Sequence, residues 1–293
     1  MKLIKTISEL KSVFPKILTN EFINSMPRRE LTPREKNFSY SKYYYKDMAE
    51  IPQEDLDIVN QGAIDKELAL NFSLEELQKI FDDGYLKAEN GYCSMKDGTG
   101  FASSKVFMKD ASLDMLDWWF NWHCLEDLRY AIWCPVAHNG IKAEAPNEHL
   151  DSSGIDLKIR NYNKTHYPDE GFNLANSEVV KIDFKDPKDL GLDIRNTRAY
   201  IANVSKQVGN FNMPITTFIH VAREVEDGVE FRSRYFTRTY INDDFELMKC
   251  KGRMPETILV NMARNNCLHS LIEYNNLASI LPTLYKEQYG KIM

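Results

Sequence analysis

The five cysteines of this 293-residue chain, Cys93, Cys124, Cys134, Cys250 and Cys267, are odd in number, scattered, and without a CxxC pair. That pattern indicates neither a disulfide framework nor a thiolate zinc knuckle, so any metal is expected to rest on histidine and carboxylate. Long apolar runs are missing too. Nowhere do about 18 consecutive apolar residues occur, and the opening MKLIKTISEL has lysines but no signal-peptide core. A cytoplasmic protein with no membrane partner is expected. There is no basic excess: the net charge of -6 argues against nucleic acid as a partner. Internal repeats and low-complexity tracts are also absent. What is present is 43% hydrophobic and 27% charged, an ordinary globular balance, in a chain long enough for one large domain or one domain with an appendage.

The densest apolar stretch is DWWFNWH at 117–123, with three of the four tryptophans and a histidine on one expected helix, and Trp133 just beyond. So much aromatic area implies burial, and a buried histidine needs a polar partner or a metal. His123 is read as part of a metal site. The plainer alternative is a core helix whose histidine is satisfied by a carbonyl.

Residues 1–85 read as a polar, helical N-terminal region, with a capping box at Ser73 to Glu76. Within it, residues 27–52 carry Tyr40, Tyr43, Tyr44 and Tyr45 and read as an extended segment crossing another surface, which suggests a homodimer contact. Residues 86–293 form the second region. A hairpin is expected over 92–95 and 100–108, a helix over 113–128, a strand over 129–134, and a surface loop with His138 and His149 over 136–154. Strands follow at 155–162, 178–184, 198–204, 214–223 and 229–240, without crossover helices, so the sheet should be antiparallel. The final helix is expected from Pro255 to the residue before Pro282. An antiparallel sheet closed by one long helix leaves a cavity suited to a small apolar ligand.

On that last helix His269 and Glu273 are four residues apart, one turn, so both point the same way and can ligate one zinc ion. In an alternating strand His220 shares a face with Thr216 and Phe218 and projects into the cavity.

The strings DGTGF (97–101), DWWFNWH, RYAIW (129–133) followed by His138, RSR (232–234) and HSLIE (269–273) resemble the 2,4-diacetylphloroglucinol hydrolase and phloretin hydrolase family over about residues 85–280. The resemblance implies an α+β, Bet v 1-like helix-grip fold and a zinc ion on two histidines and two glutamates. By position it implies His123, His269 and Glu273 as ligands, with Glu170 as the fourth and Asp169 its near alternative; Glu144 and Glu148 are weaker candidates. It also implies His220 as catalytic and Tyr235 as substrate-binding, while Met115 and Glu126 stand where the family has other substrate-contacting side chains. The reaction implied is hydrolysis of the carbon–carbon bond between a phloroglucinol-type ring and an acyl carbonyl, a phloretin-like ketone being the leading substrate. The alternatives are a carrier of small aromatic ligands and a zinc esterase or amidase.

Overall fold

The computed structural model describes residues 14–150, 153–172, 177–208 and 211–289. Alternation of apolar side chains builds an eight-stranded antiparallel sheet. Its strands are β1 (Gly91–Ser94), β2 (Gly100–Lys109), β3 (His138–Ala143), β4 (Thr165–Glu170), β5 (Glu178–Lys185), β6 (Arg198–Val208), β7 (Phe211–Val225) and β8 (Gly228–Thr237), in the order β1-β2-β8-β7-β6-β5-β4-β3. A small ribbon, β9 (Thr239–Ile241) with β10 (Leu247–Lys249), stands apart. Successive residues of a strand face opposite sides, so Tyr200, Ala202 and Phe218 join the inner core while Ala199, Ile201, Ile219 and Val221 join an outer cluster. The expected hairpin and the strands from 178 onward are present.

The helices are α1 (Asn20–Ser25), α2 (Pro33–Lys36), α3 (Gln53–Gln61), α4 (Leu74–Gln78), α5 (Leu113–Trp122), α6 (Asp127–Ala131) and α7 (Glu256–Gln288). α7 lies against β1, β2 and β8 and is about 50 Å long at 1.5 Å per residue. Sheet and helix together make the expected helix-grip arrangement. α7 does not stop at Pro282 but runs six residues past it. Burial holds the last turns: Leu284 is fully buried, Tyr285 packs edge-on to Trp118, and Gln288 donates to the Ser39 hydroxyl at 3.2 Å.

The expected helix over 113–128 is broken in two. α5 starts on the Ser112 hydroxyl, which accepts the Met115 N–H, and it gives way to a 3-10 turn at His123–Leu125. Glu126 is extended and α6 follows, where a strand was expected at 129–134. The expected surface loop at 136–154 instead holds the partly buried edge strand β3, and its His138 and His149 are both buried. β3 sits so tightly on α6 that a side chain at Gly140 would meet the Asp127 carboxylate at 2.8 Å, while Asp127 accepts the Ile141 N–H at 2.9 Å. Residues 155–162, expected as a strand, are mostly turns, and the missed strand is β4.

The N-terminal region shares its core with the sheet. Residues from Phe14 to Val59 belong to the same hydrophobic cluster as the tryptophans, and Leu70, Phe72, Leu77, Ile80 and Phe81 cover the outer sheet face. The capping box lies at Thr32 and Glu35; at Ser73 the hydroxyl accepts the Glu76 N–H without the return bond. Tyr40, Tyr43 and Tyr44 are buried against their own chain, with Tyr43 donating to Glu287 on α7 at 3.0 Å. Of the four tyrosines whose sequence suggested a contact between subunits, Tyr45 alone is exposed. Among the described residues no helix is long and apolar enough to cross a membrane.

Candidate active site

Between the sheet and α7 lies a cavity of about 240 Å³ whose walls follow from two periodicities. On β4, His166, Pro168 and Glu170 face it, and on β7, Thr216, Phe218 and His220 do, each set two residues apart. On α7, Asn266, His269 and Glu273 face it, spaced three and four apart. The alternation of β4 turns Glu170 inward and leaves its neighbour Asp169 off the cavity wall.

Four side chains converge at one end. His138 Nε2 lies 3.2 Å from His269 Nε2 and 3.5 Å from Glu273 Oε2, His269 Nε2 lies 3.7 Å from Glu273 Oε2, and His269 Nδ1 lies 3.8 Å from Glu170 Oε2. The Tyr130 ring lies flat on the His138 imidazole, centroids 4.0 Å apart and planes within 3°. Its carbonyl is 3.3 Å from His138 Nδ1, which can only donate there, so His138 presents a bare Nε2 to the cluster. The Tyr130 hydroxyl donates to Glu170 Oε1 at 2.8 Å, leaving Oε2 for the centre.

Burial drives all four groups toward neutrality. It raises Glu273 well above the ordinary carboxyl range, with the Glu170 charge adding to it, and pushes Glu170 up to about 7 despite the Tyr130 bond. Burial lowers His138 far below its ordinary value, with nearby His269 contributing, and lowers His269 to about 4. Two desolvated carboxyls crowded on two uncharged imidazoles, with His138 and Glu273 on the Nε2 side of His269 and Glu170 on its Nδ1 side, are what a divalent cation relieves. The separations of 3.2, 3.5 and 3.7 Å among His138 Nε2, His269 Nε2 and Glu273 Oε2 bracket or slightly exceed what a tetrahedral ion with bonds of about 2.0–2.1 Å requires. The donor set therefore fits zinc.

Of the sequence-predicted ligands, Glu170, His269 and Glu273 are brought together and His123 is not. His123 Nδ1 is 2.9 Å from the Trp119 carbonyl, the plainer alternative raised from sequence, and its ring stacks on Trp119 within the cavity wall. His138 occupies the fourth place. It went unrecognised because it was read as loop, although it follows Tyr130 by eight residues inside the quoted strings. His220 lines the cavity with Nδ1 2.9 Å from the Ser233 hydroxyl, and burial lowers it to about 3, so it is a neutral imidazole. Tyr235 is beside it, ring centroids 5.5 Å apart. Glu126 and Met115 do not line the cavity. Glu126 accepts the Tyr40 hydroxyl and lies 3.7 Å from Arg129, and half-buried Met115 packs on the core.

The profile of the DAPG hydrolase PhiG domain matches residues 70–286. Phloretin hydrolase of Eubacterium ramulus is 32% identical over 262 residues, covering 87% of this chain and 92% of that protein. A 2,4-diacetylphloroglucinol hydrolase of Pseudomonas protegens is 27% identical over 285 residues, 90% of each chain. The crystal structure of Ara h 8.0201 aligns with a TM-score of 0.37 at 10% identity, over 61% of this chain and 96% of that one.

Proposed function

The chain belongs to the DAPG hydrolase family, and from that premise we propose that it hydrolyses the carbon–carbon bond between a phloroglucinol-type ring and an acyl carbonyl. Water then supplies a hydroxyl to the acyl carbon and a proton to the ring carbon, releasing the ring and a carboxylic acid. The observation that carries this reading is the meeting of His138, Glu170, His269 and Glu273 at the end of a cavity whose other wall holds His220 and Tyr235. A carrier of aromatic ligands would need the cavity but has no use for the cluster.

His138, Glu170, His269 and Glu273 would hold zinc, which when bound supplies Lewis acidity toward an oxygen of the substrate or of water. His220, neutral and fixed through Nδ1 by Ser233, moves the proton to or from the ring carbon. Tyr235, whose phenol is kept protonated by burial, donates to a ring hydroxyl and sets the ring plane. Val180, Ile182 and Val204 form an apolar wall that accommodates the acyl arm, consistent with a phloretin-like ketone. The aromatic enclosure keeps bulk water from the proton transfer. We also place the protein in the cytoplasm as a homodimer, a state that sedimentation in solution checks.

The test is zinc content and phloretin cleavage measured on the same samples of wild type, Glu273→Ala and His220→Ala. Glu273→Ala should lose one equivalent of zinc together with activity. His220→Ala should keep its zinc while turnover falls about 10²–10⁴-fold. Cleavage at the wild-type rate by either variant, or a wild type that hydrolyses an ester analogue and leaves phloretin intact, would overturn the proposal.

A further inference from the structure

The scatter of cysteines in the sequence gives no sign that any of them could meet a metal, yet the fold gathers one with two histidines in a second group. Cys124 lies in the 3-10 turn after α5, His149 ends the turn Pro146–His149, and His166 sits on β4. All three are buried, and one ligand atom from each lies within 4.8 Å of the others. His149 Nε2 and His166 Nε2 are 3.3 Å apart, the separation of two nitrogens around a tetrahedral ion and the long end of a hydrogen bond.

The surroundings orient the group as a metal site does. Asn121 donates its amide to the carbonyls of Asp117 and Leu157 at 2.7 and 2.9 Å, which turns its Oδ1 toward His149 Nδ1, 3.0 Å away. His149 therefore carries its proton on Nδ1 and presents a bare Nε2, the arrangement that outer hydrogen bonds impose on ligating histidines. The Cys124 thiol, 3.3 Å from the Asn121 carbonyl, rests on the same residue.

We propose that Cys124, His149 and His166 form a second metal site, distinct from the His138–Glu273 cluster, for a thiophilic ion such as Zn²⁺ or Cu⁺. Softness favours this class, because a thiolate with two imidazoles and no carboxylate discriminates against magnesium and calcium. Binding releases the thiol proton to solvent, leaving the thiolate as the single negative donor. Nearby, Arg160 donates to the His149 carbonyl at 3.1 Å and Lys164 pairs with Glu148. The ion's role is mechanical. It joins three segments distant in sequence, and β4 carries Glu170 four residues beyond His166, so the ion steadies the strand that delivers a carboxylate to the active centre.

Cobalt(II) titration of metal-stripped protein tests this, since a thiolate ligand gives a near-ultraviolet charge-transfer band that the nitrogen and oxygen donors of the active centre do not. The band is expected in wild type and in Glu273→Ala and lost in Cys124→Ser and His149→Ala. Cys134→Ser is a necessary control, because Cys134 lies near His138 and His269; it should keep the band. In a parallel arm, wild type should withhold one equivalent of Cu⁺ from a chromophoric chelator, and Cys124→Ser none. Far-ultraviolet circular dichroism confirms that Cys124→Ser, which changes one atom, stays folded. A thiolate band or retained Cu⁺ that depends on Cys124 supports the site. Neither signal in wild type, or signals that survive Cys124→Ser, would overturn it and leave the two imidazoles as a hydrogen-bonded pair.

Discussion

Tyr130 shows how much of the active centre is held at one remove. Its ring supports His138, its carbonyl fixes which His138 nitrogen is bare, and its hydroxyl fixes which Glu170 oxygen is free. Tyr130→Phe keeps the ring and removes only the hydroxyl, so zinc affinity should fall about 10–100-fold. Competition with a chelator measures this; unchanged affinity would assign Tyr130 to packing alone. His269 and Glu273 were legible in the sequence because a helix converts a spacing of four into a shared face. His138 was not, because its place depends on a strand whose partner is 27 residues further on, a pairing that no local pattern encodes. His123 misled for a physical reason. The tryptophans beside it do bury it, but its ring stacks on Trp119 with Nδ1 held by the carbonyl one turn back, and it does not join the group of His138, Glu170, His269 and Glu273.

Elements were legible where local pattern and burial agree. β5 to β8 alternate and end in turn residues. β3 and β4 are short and contain Gly140 and Pro168; β4 turns His166, Pro168 and Glu170 toward the cavity and β3 only Ile141, so neither displays a run of alternating apolar residues. α7 was legible except at its end, where an interior proline signals termination and tertiary burial overrides it. A proline inside a helix removes one hydrogen bond and crowds the preceding turn at a cost of about 3 kcal/mol. Pro282→Ala should therefore stabilise the protein by roughly 1–3 kcal/mol and raise its thermal midpoint by several degrees. A calorimetric scan showing a lower midpoint would refute this and mean that the Pro282 ring is needed for packing.

For the whole molecule, residues from Phe14 to Val59 share the main hydrophobic core with the sheet, although the family match begins at residue 70. Behind the sheet, Arg232 and Arg234 are buried to 1% and 0% exposure, and both bind Glu89, at 2.6 and 2.5 Å. Burial alone would raise the Glu89 carboxyl, but Arg234 and Arg232 outweigh it and hold it at about 2, below its ordinary 4.5. A depressed carboxylate stabilises the fold fully above its ordinary value, and that contribution is lost as pH falls toward and through 2. It amounts to roughly 3 kcal/mol. Denaturant midpoints should thus drop between pH 4.5 and 2 in wild type. Glu89→Gln should lack this part of the slope and be less stable at pH 7 by about 3–5 kcal/mol, since it strands two buried guanidiniums. An unaltered slope would exclude Glu89 as its source.

The tryptophan cluster gives the molecule a built-in optical probe. Trp118, Trp119 and Trp122 neighbour one another and do not line the cavity, whereas Trp133 does, its ring standing edge-on to His138 at 5.1 Å. Trp133 is thus the indole that senses what fills the cavity, and with Trp119 only 6.0 Å away the emission of the cluster is coupled to it. Metal loading and substrate entry can be followed as quenching of Trp133 emission, without a label, on the time scale of a single turnover.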